Sequence, residues 1–127
     1  MKEEELFDPV KRLFEQSGYS VNAEVKECDV TAVRDSELII IELKTSLSVA
    51  LLAQGVRRQR CGADVYVAVP KPKNYSPKKM KDTFALIKKL ELGLILVTVR
   101  GEYSFAEIIF EPKEYRRPAR DTKKRNK

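Results

Sequence analysis

A chain of 127 residues suits one domain with one apolar core. No apolar run approaches the roughly 20 residues of a membrane span, and the acidic start, Met1-Lys2-Glu3-Glu4-Glu5, lacks the apolar stretch of a signal peptide, so the expected location is the cytoplasm. There is no histidine, which removes imidazole bases, Ser-His-Asp triads and His-containing zinc or iron sites and leaves carboxylates, lysine or a metal for any catalysis.

The net charge of +6 is unevenly placed. Residues 112–127 hold eight Lys/Arg and two acids, whereas the rest of the chain has seventeen of each sign. The expected organisation is therefore a domain over 1–111 and a basic, disordered tail over 112–127. Such a tail, with Arg116 and Arg117 as candidate phosphate contacts, acts either as an arm for a polyanion or as a solubilising end. Cys28 and Cys61 have neither metal-site nor disulfide spacing and read as buried thiols.

In chain order, Leu6, Val10, Leu13 and Phe14 fall on one stripe and predict a helix over 3–17, with Pro9 awkward inside it and Gly18 at its end. Residues 19–26 alternate as a first strand, with Glu24 and Lys26 on its polar face. Two apolar runs, 30–33 and 38–43, flank Arg34-Asp35-Ser36-Glu37 and predict a hairpin. The run Leu38-Ile39-Ile40-Ile41 is apolar on both faces, as a central strand is. A helix over 46–61 follows, capped by Thr45 or Ser46, with Leu47, Ala50, Leu51 and Cys61 on its buried stripe and Gln54 and Arg58 on the same side. Gly62 ends it. Residues 64–69 form a fourth strand, parallel to the third because a helical crossover joins them. Ser76 with Pro77 starts a helix to about Leu90, residues 94–99 form an apolar fifth strand, and 103–111 an edge strand or hairpin partner. This order predicts a three-layer α/β domain whose mixed sheet is flanked by helices.

The hairpin brings its open ends together. Asp29 begins one strand, and Glu42 and Lys44 close the other, two residues apart and on one face. Two carboxylates and an ammonium there would hold a hard divalent cation and steady a charged reactant. Arg58, one helical turn past Gln54, suits a phosphate contact, and Lys26 is a further candidate. The plainer alternatives are an exposed Glu42–Lys44 ion pair, a strand-start aspartate, and a Gln54 amide satisfied by backbone.

Asp29, twelve residues, then Glu42-Leu43-Lys44 resembles the signature of the PD-(D/E)XK nuclease superfamily. A wider set, including Pro9-Val10-Lys11, Gly18-Tyr19, Glu24-Val25, Cys28-Asp29-Val30, Gln54, Arg58-Gln59 and Val65 to Pro70, is similar to a bacterial family of PD-(D/E)XK phosphodiesterases. Cys28 stands where the signature has proline. The resemblance implies a restriction-endonuclease-like core and Mg²⁺-dependent hydrolysis of nucleic-acid phosphodiesters, DNA first, with Mn²⁺ able to substitute. It implies Asp29, Glu42 and the Leu43 carbonyl as ligands and Lys44 against the developing charge. Glu24 would act through water, and Gln54 would point into the site. Three other classes stay open: a silent nucleic-acid-binding module, a hydrolase of a small phosphodiester, and a structural partner subunit. The small surface favours added partners, a second copy of the chain among them.

Overall fold

The structure, a computed structural model, describes residues 2–23 and 29–113, with Asp29 described by its backbone alone. Six strands form one sheet in sequential order. They are β1 (Ser20–Ala23), β2 (Asp29–Arg34), β3 (Glu37–Leu43), β4 (Asp64–Pro70), β5 (Gly93–Thr98) and β6 (Phe105–Phe110). β3, β4 and β5 run parallel, and β1, β2 and β6 pair antiparallel at the two sides. The expected hairpin turns at Asp35-Ser36, with Arg34 opposite Glu37. Asp35 adopts φ 54°, a left-handed conformation that aspartate tolerates.

Helix α1 (Glu4–Glu15) covers one face of the sheet. Its Leu6, Val10 and Phe14 pack with Val30, Ile41 and Ile95. Helices α2 (Val49–Arg58) and α3 (Lys81–Lys89) cover the other. There Leu51, Leu52 and Ile87 pack with Ile40, Val67 and Leu94. The two apolar clusters explain why β3, β4 and β5 read as continuous apolar runs: each strand buries both faces. Among the described residues, no helix is long and apolar enough to cross a membrane.

Pro9 lies inside α1 and is buried. Its missing N–H removes one helical hydrogen bond, while its ring adds to the apolar face that holds the helix down. The cap of α2 is Ser48, not Thr45 or Ser46. Ser48 is extended, and its Oγ accepts from the Leu51 N–H at 3.1 Å. Leu47 before the cap and Leu52 within the helix share one cluster, a hydrophobic staple that fixes this start. The buried face is Leu51, Leu52 and Gly55, while Ala50 and Cys61 are exposed. The expected stripe was thus too far round the helix, because Gly55 is a core position. A methyl group on it would lie 3.1 Å from Leu92. The expectation of a buried Cys61 is corrected with it. Cys28 lies outside the described residues.

Residues 59–61 form a single 3-10 turn that Gly62 ends at φ 83°. Pro77 does not start α3. One turn forms there, with the Met80 N–H reaching the Ser76 carbonyl at 3.1 Å, and the helix begins only at Lys81. The ψ of 6° at Met80 interrupts the regular repeat between the two.

Candidate functional site at the carboxyl ends of the parallel strands

Parallel strands align their carboxyl ends on one edge of a sheet, where open α/β sheets bind ligands. Here that edge carries the ends of β3, β4 and β5. The start of β2 joins it because the hairpin is antiparallel: Asp29 pairs directly with Glu42, and Glu42 in turn with Val67. The ladder continues past the strand ends. The Lys44 N–H donates to the Ala68 carbonyl at 3.1 Å and the Lys71 N–H to the Val97 carbonyl at 2.8 Å.

Glu42 shares a sheet face with Ile40, two residues before it, on the side covered by α2. It is 1% exposed and is the one buried charged residue among those described. A carboxylate removed from water needs compensation. Part of it comes from Arg58, whose Nε donates to Glu42 Oε2 at 3.1 Å. Arg58 is 30% exposed at its side chain, so the guanidinium links a buried charge to the surface.

Lys44 takes a different direction. It lies one residue beyond β3, and its Nζ is 3.7 Å from Oε2 of Glu3, at the start of α1. Glu42 therefore meets α2 while Lys44 meets α1, on opposite sides of the sheet. The long flexible stem of lysine permits this at the end of the strand. Leu43, between them, packs its side chain against the α1 cluster.

Gln54 is half-buried, and among the described residues no group is hydrogen-bonded to its amide. Glu24, Lys26, Arg116 and Arg117 lie outside the described residues. Among the described residues, no three acidic or cysteine side chains gather closely enough to form a metal cage by themselves. The edge thus brings together Asp29, Glu42 and Arg58, with Lys44 directed to Glu3.

Two polar contacts were not foreseen in the sequence. Glu3, in an acidic opening, proves to be the partner of Lys44. Gln59 donates from Nε2 to the carbonyls of Leu90 and Glu91 at 3.0 and 3.2 Å, tying the end of α2 to the end of α3. An acid facing a distant lysine has no local signature, and neither does an amide facing carbonyls 31 residues on.

At the opposite end of the hairpin, Glu37 Oε1 accepts from the Tyr19 hydroxyl at 2.8 Å and from Arg34 at 3.0 Å. The Tyr19 hydrogen bond, then Arg34, holds the Glu37 carboxyl below its ordinary value. Burial, then the same hydrogen bond, pushes the Tyr19 hydroxyl up. These are structural contacts far from the strand carboxyl ends.

No family model matches the chain, and no curated protein matches it.

Proposed function

We propose that the chain is a metal-dependent phosphodiesterase of the PD-(D/E)XK type, with a restriction-endonuclease-like core, hydrolysing nucleic acid and DNA first. The single observation that supports this most is the pairing of Asp29 with Glu42 across β2 and β3, with Glu42 almost fully withdrawn from water. A carboxylate is rarely placed there without a cationic or metal partner. Two carboxylates and a strand-end carbonyl are hard oxygen donors, and Mg²⁺ takes few carboxylates and keeps several waters, so the donor set fits. When bound, the ion would polarise the phosphoryl group and generate the attacking nucleophile. Asp29, Glu42 and the Leu43 carbonyl would hold it. Lys44, released from Glu3, would face the charge that builds on the phosphate oxygens. Arg58 would orient Glu42, and Gln54 would bind a water or a substrate oxygen.

A second reading rests on a different observation. The Arg58–Glu42 bridge already compensates part of the buried charge, which favours a silent binding module on the same fold. The test is incubation with single-stranded, duplex and branched DNA, with and without Mg²⁺ or Mn²⁺. The enzyme reading expects cleavage that needs the metal and is lost in Asp29→Asn and in Glu42→Gln. Lys44→Ala should slow it by about a hundredfold. Binding without cleavage on every substrate would leave the module.

A further inference from the structure

A second feature of the same sheet edge lies beyond the paired carboxylates. A groove of about 640 Å³ opens at the carboxyl ends of β4 and β5, lined by Lys71, Lys73, Tyr75, Arg100 and Phe105 among others. Three of these are cations, two are aromatic, and none of the lining residues is acidic. We infer that this groove seats a single-stranded segment of nucleic acid, its phosphates on the cations and an unpaired base against Phe105. The inference rests on the nucleic-acid half of the function proposed above, not on cleavage.

The groove is built before any ligand arrives. The Lys71 N–H extends the parallel ladder to Val97, and the Tyr75 N–H closes a turn on the Pro72 carbonyl at 3.2 Å. On the other wall, the Arg100 N–H donates to Ser104 Oγ at 2.8 Å. The Ser104 hydroxyl donates to the Gly101 carbonyl at 2.8 Å. Arg12, from α1, donates to the Ser104 carbonyl at 2.7 Å. This ties the segment carrying Arg100 and Phe105 to the body of the protein and lowers the cost of ordering it on binding.

The chemistry selects the occupant. Phe105 is 49% exposed at the start of edge strand β6. A lone exposed phenylalanine means little, but one placed among three cations is the pairing that holds single strands: charge tracks the backbone and rings stack bases. Tyr75 forms a firmer wall. Lys71 Nζ sits 4.9 Å over its ring, and the ring is 6.5 Å from Phe84. Lys71 also lies 3.7 Å from Glu107, which fixes its position. Lys73 and Arg100 are exposed and available to phosphates. Paired bases in a duplex are stacked within the helix and cannot lie on Phe105, so the aromatic wall favours unpaired strand. β4, whose end lines the groove, is also the strand that pairs with β3 at Glu42, and neighbouring strands lie about 5 Å apart.

The test measures anisotropy of a labelled oligothymidylate and of a duplex of equal length, in Ca²⁺ to suppress cleavage, using the full chain. Wild type should bind the single strand more tightly than the duplex. Phe105→Ala should weaken single-strand binding about tenfold, and Phe105→Leu, which keeps apolar bulk without a ring, should weaken it nearly as much. Lys73→Ala with Arg100→Ala should lower the slope of log affinity against log salt by about 1.4. Unchanged melting curves guard against misfolding. Equal binding by wild type and these variants, or no single-strand binding by wild type, overturns the inference. So does equally effective competition by an acidic peptide of matched charge. Glu37→Gln, at the opposite end of the hairpin, should bind as wild type does. Binding without cleavage by wild type would therefore overturn the enzyme and spare the groove, while cleavage with indifferent groove variants would do the reverse.

Discussion

At the residue scale, the bond between Arg58 and Glu42 separates the two readings of the site. Glu42 is 1% exposed, and a guanidinium lies against one of its oxygens. Removing a cation from a buried carboxylate is costly, less so here because Arg58 is partly in water. Arg58→Ala should lower stability by about 2 kcal/mol, and Glu42→Gln by less, because the amide carries no charge. If the carboxylate also binds metal, Arg58→Ala should tighten Mn²⁺ binding by removing a competing cation. In a purely structural bridge, only stability would change. Titration with Mn²⁺ of wild type and variant decides between them. Glu37 gives an independent pH signature. Its folded carboxyl titrates below the ordinary value of 4.5, chiefly through Tyr19 and then Arg34. The contribution is therefore present above that ordinary value and is lost as pH falls through the lower folded value. Melting temperatures of wild type and Glu37→Gln should differ at neutral pH and converge in acid. A gap that widens on acidification would mean the hydrogen bonds are not what holds Glu37 ionised.

At the element scale, the start of α2 decides where Gln54 and Arg58 stand relative to the sheet. Ser48→Ala should cost about 1 kcal/mol by removing the cap, and Ser46→Ala almost nothing; chemical denaturation of the two variants measures the contrast. Gly93 begins β5 where an added Cβ would lie 2.5 Å from the Tyr66 ring and 2.8 Å from Pro112. Gly93→Ala should destabilise by about 1–3 kcal/mol, since the ring it meets is packed in the core. The sheet was largely legible in the sequence because strand alternation and the apolar run 38–41 are local patterns, although Leu38 at its start is exposed and burial begins at Ile39. The pairing of Asp29 with Glu42 followed from the length of the hairpin arms alone. Helix starts were less legible. Thr45, Ser46 and Ser48 are all competent caps, and only the packing of Leu47 with Leu52 selects the last. The direction of Lys44 was not legible at all. It depends on Glu3, brought near by the docking of α1, and no periodicity encodes a contact between elements so far apart in the chain.

At the scale of the whole molecule, the basic end continues the body further than composition implies. Pro112 is buried beside Gly93, and Lys113 bonds Asp64 at 3.1 Å and the Glu91 carbonyl at 3.2 Å. The expected tail, apart from these two residues, lies outside the described residues. It holds seven Lys/Arg and two acids over 114–127. A chain ending at Lys113 should keep its melting temperature but bind DNA more weakly, with a flatter salt dependence. Equal slopes for both chains would leave the segment as a solubilising end. The claim on which the rest depends is that Asp29 and Glu42 together hold a divalent cation, and it can be measured without knowing the substrate. A ligand that binds only the folded protein stabilises it, by about 2.7 kcal/mol at a hundred times its dissociation constant. Thermal unfolding with increasing Mn²⁺ should raise the melting temperature of wild type and leave Asp29→Ala with Glu42→Ala unmoved. A rise of equal size in both proteins, or in neither, would contradict a metal centre at this sheet edge.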